Sequence, residues 1–219
     1  MGESNSMNAR VVAVTKPLIE NINAEQFIVY AARVSNPNNQ LNIETSSKLL
    51  RYCIKHGHWS IFEQSSMTVE IQTSRAISAQ ILRHRSFCFQ EFSQRYAQTT
   101  GYEDIELRTQ DSKNRQASGT AINDENLNKK LSELLLHADD LYHKLIAEGV
   151  SRETARMILP LCTETTLYMT GSVRSWIHYF EQRCAEGTQK EHRLLACKIR
   201  DDCFKPHFPT IHELITDQR

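Results

Sequence analysis

The chain has no surplus of charge: 26 lysines and arginines stand against 26 aspartates and glutamates in 219 residues. Such a balance excludes bulk attraction to nucleic acid or to an anionic membrane, so any anion site has to be local. No run approaches the roughly 18 apolar residues of a membrane span, and the opening MGESNSMNAR lacks the apolar stretch of a secretory signal. These absences predict a soluble, cytoplasmic protein, in the host cytoplasm for a viral source, with Met1–Ser6 as a tag or disordered start ahead of Met7. The six cysteines, Cys53, Cys88, Cys162, Cys184, Cys197 and Cys203, form no CxxC pair, which argues against a zinc ribbon or a thioredoxin-type motif and fits reduced thiols. A P-loop, a GxGxxG turn and a GxSxG elbow are also missing, so neither a standard nucleotide fold nor a serine hydrolase is indicated.

What is present reads as several helices and few strands. Val11–Val14 is a short β-branched run, and Met67, Val69 and Ile71 alternate with polar neighbours, the period of a strand with one wet face. Helices are predicted after Asn23, over about 43–55 with Gly57 as its stop, over about 75–84, and from Asp124 to Gly149, where leucines recur at three and four. A short helix follows Ser151, a strand runs through Thr165, Leu167 and Met169, and two more helices cover about 172–185 and 189–204. The polar stretch near 99–121 reads as a long loop or insertion within a single domain over 7–219. The uneven spread of strands predicts an α+β fold, mixed helices with a small antiparallel-rich sheet, rather than a βαβ repeat.

The densest chemistry lies in RHRSFCFQEFSQRY, residues 83–96, where Arg83, His84, Arg85, Glu91, Ser93 and Arg95 crowd together. Three guanidinium groups so close repel unless an anion neutralises them, and their forks match phosphate oxygens. A solvated basic loop is the alternative, and composition alone does not choose between the two. Gln80 shares a helix face with Arg83. On the helix after Ser172, Val173, Trp176, Ile177, Phe180 and Cys184 form the apolar stripe, with Arg174 and His178 on one flank and Arg183 on the other. Cys53, His56 and His58 do not complete a tetrahedral metal set, so no metal is expected.

In ordered motifs the chain resembles the flavin-dependent thymidylate synthase family. Arg83-His84-Arg85 with Ser93 resembles the family's RHR, seven residues, Ser signature; GHWSIFEQ, residues 57–64, resembles its GHxTPFEH segment. ARMILP at 155–160, the Val173-Arg174-Ser175 step and Arg183 follow in family order. Ile61 and Gln64 replace the family's Pro and His, Gln90 and Ser172 stand where Asn is common, and His178 stands where Asn or His occurs.

The resemblance implies an α+β homotetramer with shared active sites. There dUMP would be methylated to dTMP with 5,10-methylenetetrahydrofolate as one-carbon donor and NADPH as reductant through bound FAD. By matched position it implies FAD contacts from Ser60, Arg83, His84, Arg85, Glu91, Ser172, Val173, Arg174 and His178, with His58 near the flavin. It implies dUMP contacts from Gln80, Arg83, Glu91, Phe92, Ser93, Gln94, Arg95, Arg156 and Arg183, the last as the catalytic group that activates the pyrimidine. A noncatalytic nucleotide or RNA-binding module, with Phe87, Phe89, Phe92 and Tyr96 as stacking faces, is the competing reading. The neutral charge weighs against it, and an enzyme of the same fold with a different substrate is the third reading.

Overall fold

The computed structural model describes residues 7–99 and 101–217, so the expected tag or disordered start at Met1–Ser6 lies outside the described residues. Strands β1 (Asn8–Val14), β2 (Ser66–Ser74), β3 (Cys88–Glu91) and β6 (Glu164–Ser172) form a sheet of order β1-β2-β6-β3. Strands β4 (Arg108–Gln110) and β5 (Ser118–Ala121) make a separate antiparallel hairpin. The helices are α1 (Ala24–Ala32), α2 (Ser46–Lys55), α3 (Arg75–Ile81), α4 (Glu125–Ala147), α5 (Arg152–Ala155), α6 (Val173–Arg183), α7 (Lys190–Lys198) and α8 (Pro209–Thr216). The α+β class is therefore as expected. Among the described residues no helix is long and apolar enough to cross a membrane.

The chain divides into two compact units. Among the described residues, unit 1 holds Met7, Asn8, Gln72–Arg83 and Gln90–Leu167. Within it Asp124 caps α4, its carboxylate accepting the Asn126 and Leu127 N–H groups at 2.9 and 3.0 Å. Gly149, at φ +86°, ends the helix: its N–H donates to Ile146 and that of Val150 to Leu145, a Schellman turn that needs a residue without Cβ strain. Ile77, Ile81, Tyr142, Ala155 and Leu167 are buried in this unit. The stretch read as a long loop contains the β4–β5 hairpin, whose turn is set by Asp111 Oδ1 accepting the Lys113 and Asn114 N–H groups at 2.8 and 2.6 Å.

Unit 2 holds Ala9–Ile71, His84–Phe89 and Tyr168–Arg219. Helix α6 buries Val173, Trp176, Ile177 and Phe180, the three-and-four stripe expected of it. Its aromatic rings continue into a cluster: Phe87 meets Trp176 edge-on at 4.9 Å, and Phe180, Phe204 and Phe208 follow at 5.3 and 4.8 Å. Asn23 and Gln26 form a capping box at the start of α1. Glu25, in the first turn of α1, is buried, and its carboxylate accepts the Thr210 and Ile211 N–H groups at 3.3 and 2.9 Å, thereby capping α8. Gly57, at φ +68°, ends α2 with a second Schellman turn in which the His58 N–H donates to the Cys53 carbonyl at 2.8 Å. The helix predicted over 75–84 stops at Ile81, and the one predicted over 189–204 changes to a π turn at Ile199–Phe204.

Candidate active site

In unit 1 the residues expected to hold nucleotide follow α3 and β3. Glu91, at the end of β3, is fixed from three sides. Ser78 Oγ donates to its Oε1 at 2.5 Å, Thr165 Oγ1 to the same atom at 3.1 Å, and Arg75 Nη1 pairs with Oε2 at 2.9 Å. The next residue, Phe92, donates its N–H to the Thr166 carbonyl at 2.9 Å. Its own carbonyl accepts Arg75 Nη2 at 2.8 Å. Ser93 then turns the chain, its carbonyl accepting the Tyr96 and Ala97 N–H groups, each at 3.0 Å. Gln94 is buried, and its Nε2 has no hydrogen-bond partner among the described residues. Ser93, Arg95 and Tyr96 line one concavity of about 550 Å³ with Ser151, Arg152 and Glu153. Arg95 lies there paired to Glu153 at 2.9 Å, both side chains more than half exposed. Two guanidinium groups and three hydroxyls around one hollow suit a phosphate, which would displace the exposed Glu153 partner at little cost. Gln80 is half-buried on α3, Arg83 is exposed just beyond it, and Arg156 is half-buried after α5.

In unit 2 the flavin-assigned residues surround α6. Ser172 caps the helix, its Oγ accepting the Ser175 N–H at 3.3 Å. Arg174 reaches back to Glu63 at 2.6 Å, across the 3-10 turn Trp59–Glu63 that carries the exposed Ser60. His178 pairs with Glu181 at 3.0 Å and sets its ring 4.7 Å from that of Trp59. Val173 is fully buried, and its N–H donates to the Ser65 carbonyl at 2.8 Å. Arg85 is exposed. His58 stands with Tyr52 and His56 in a group of rings, at 5.6 and 6.2 Å.

Arg183 ends α6, where a cation meets the negative pole of the helix dipole. Its Nε donates to His84 Nε2 at 2.8 Å. An imidazole can accept that bond only when the nitrogen is unprotonated. Burial, then the neighbouring guanidinium, pushes His84 down to about 4. Behind it His192, fully buried, pairs with the Tyr179 hydroxyl at 3.0 Å. Burial, Arg183 and His84 push His192 down to about 3. Arg183 thus stands beside neutral rings, with its two terminal nitrogens beyond the bonded Nε.

The decisive comparison is with a family model. The chain matches the thymidylate synthase complementing protein model over residues 17–210. It belongs to that family. The chain is 50% identical over 212 residues to a flavin-dependent thymidylate synthase of Synechocystis sp., covering 94% of this chain and 97% of the relative. It is 31% identical over 202 residues to the enzyme of the same name from Kosmotoga olearia, covering 90% and 87%. Its fold is similar to the crystal structure of the UMP/dUMP methylase PolB from Streptomyces cacaoi bound with 5-Br dUMP. The TM-score is 0.84 at 23% identity, covering 97% of this chain and 95% of that one, a likeness that speaks to fold alone.

The motifs name candidate ligand contacts but not the groups that hold those side chains in place. Arg75, Ser78 and Thr165 around Glu91, Arg152 beside Arg95, Glu63 on Arg174, and the Tyr179–His192 pair were all passed over. One signal was available: Arg75 opens α3, where the helix dipole disfavours a cation unless a carboxylate pairs with it.

Proposed function

We infer that this chain catalyses the reductive methylation of dUMP to dTMP, with 5,10-methylenetetrahydrofolate as one-carbon donor and NADPH as reductant through bound FAD. The observation that carries the reading is half identity, over nearly the whole of both chains, to a relative named for that activity. The side chains present are consistent with it. The N-terminus of α6, capped by Ser172 and flanked by Arg174, offers positive charge to a pyrophosphate, and exposed Arg85 offers a further guanidinium. We assign Ser60, Arg83, His84, Arg85, Glu91, Ser172, Val173, Arg174 and His178 to FAD, which supplies the hydride that completes the methyl group.

The rest of the work is placement and electrostatics. Ser93 and Arg95, with Arg156, hold the nucleotide phosphate; Gln80, Arg83, Glu91, Phe92 and Gln94 set the pyrimidine and sugar. Ser93 positions rather than attacks, because a serine hydroxyl needs an adjacent base to become a nucleophile. Arg183 faces the pyrimidine edge that becomes anionic as carbon 5 turns electron-rich. Its Nε bond to neutral His84 aims the guanidinium before the charge appears, so no reorganisation is needed at the moment of reaction. The enzyme works in the cytoplasm as a homotetramer with shared active sites, a state that sedimentation velocity would measure.

The purified protein should be yellow and should release tritium from dUMP labelled at ring carbon 5, dependent on NADPH and on the folate. A colourless chain that cannot be reconstituted with FAD would return the reading to a binding module. Release from UMP but not dUMP would point to the same fold with another substrate.

A further inference from the structure

Glu91 and Phe92 begin the run of residues assigned to dUMP, and both are gripped by one side chain that lies outside that run. The Arg75 guanidinium gives Nη1 to the Glu91 carboxylate at 2.9 Å and Nη2 to the Phe92 carbonyl at 2.8 Å. Arg75 and Glu91 are both largely withdrawn from water, with side chains 22% and 18% exposed. The base of the arginine is itself anchored, since its backbone N–H donates to the Thr163 carbonyl and that of Ala76 to the Leu161 carbonyl, both at 2.9 Å. We propose that Arg75 is a positioning residue for nucleotide binding, acting through Glu91 and the Phe92 carbonyl; this rests on the assignment of dUMP to residues 91–95.

The physical case has two parts. A carboxylate accepts about four hydrogen bonds. Ser78 and Thr165 occupy Oε1, and Arg75 takes one position on Oε2, which leaves a second Oε2 position for a donor on the nucleotide. The second part is charge. An unpaired Glu91 carboxylate in this half-dry site would repel an anionic nucleotide, and the guanidinium cancels that charge. Lysine would supply the charge but not two nitrogens in a fixed fork, so it would hold either the carboxylate or the carbonyl and not both.

The test is a double-mutant cycle on dUMP affinity, measured by calorimetry with the flavin-loaded protein. Arg75→Met should weaken dUMP roughly tenfold or more, the scale of losing a charge-assisted bond partner. Arg75→Lys should recover only part of the loss. In a Glu91→Gln background, where no charge is left to neutralise and the Phe92 carbonyl is still held, Arg75→Met should lose clearly less, about threefold. Equal losses in both backgrounds, or no loss in the first, would overturn the proposal. Should Arg75→Met not fold, Thr165→Val keeps the side-chain shape and deletes one donor to Glu91; unchanged affinity there overturns it as well. Parent protein that binds no dUMP would instead overturn the functional reading, and the proposal with it.

Discussion

Acidification should unload stability through two histidines in unit 2 before the carboxylates take part. His192 sits near 3 and His84 near 4, each pushed down chiefly by burial from an ordinary 6.5. Between pH 6.5 and about 4 the unfolded chain therefore carries a proton on each ring that the native chain does not. Stability rises with pH wherever the unfolded state binds more protons, so it falls as pH is lowered through this window. A fully uptaken proton is worth on the order of 1 kcal/mol per pH unit. His192 is fully buried and counts in full, while His84 is only half-buried and is discounted for solvent screening. The loss from pH 6 to pH 4 comes to roughly 3 kcal/mol, a large share of the 5 to 15 kcal/mol typical of a domain. Glu70 and Asp201, held low by Arg10 and Arg200, add to the loss as pH falls through their ordinary 4.5 and 3.8, at the foot of this window. Glu25, raised by burial, opposes the trend just above its ordinary 4.5. Comparison with His192→Gln removes these shared contributions, because glutamine can still meet the Tyr179 hydroxyl and does not titrate. Urea unfolding at pH 7, 6 and 5 should give the variant a slope shallower by on the order of 1 kcal/mol per pH unit. Parallel pH profiles would refute the assignment of a neutral, buried His192.

Arg183→Ala should keep its flavin and accept electrons from NADPH, yet release tritium from dUMP about a hundredfold to a thousandfold more slowly, the usual cost of one preorganised donor; near-parent turnover at saturating dUMP would make it an ordinary surface arginine. Gly171→Ala would place a Cβ 2.4 Å from Phe87 Cδ1, a clash between a strand and the core, and should cost roughly 1 to 3 kcal/mol. An unchanged melting temperature would show that the ring has room to move. Asn23→Ala removes half of the capping box on α1 and should cost about 1 kcal/mol in urea unfolding, with no change in dUMP affinity.

Long amphipathic segments were legible because their signals are local. The stripe of α6 and the stops at Gly57 and Gly149 needed only spacing and a left-handed position. The elements passed over have distant or polar causes. Strand β3 is four residues long, too short for alternation to register inside a basic segment. The β4–β5 hairpin is almost wholly exposed, so its only signature is the Asp111 turn. Helix α8 begins at a proline, a fair local cue, but its free N–H groups are satisfied by Glu25, which no window of neighbouring residues contains. For the site, motif order names only candidate contacts that lie close in sequence, whereas Arg75, Thr165 and His192 are joined to them by folding.

The Glu25 cap also sets an order of events. A helix start and the carboxylate that completes it are separated by 185 residues, so on a growing chain Glu25 is made long before Thr210 and Ile211 exist. Until they arrive the carboxylate keeps its water, and the surface of α1 that will surround it stays wet. Burial of that carboxylate without its two backbone donors would be costly, so the region around α1 closes only when α8 docks. Final consolidation of unit 2 is thus tied to a late-synthesised segment, and a ribosome stalled before residue 210 would hold a chain in which the surroundings of Glu25 are not yet sealed.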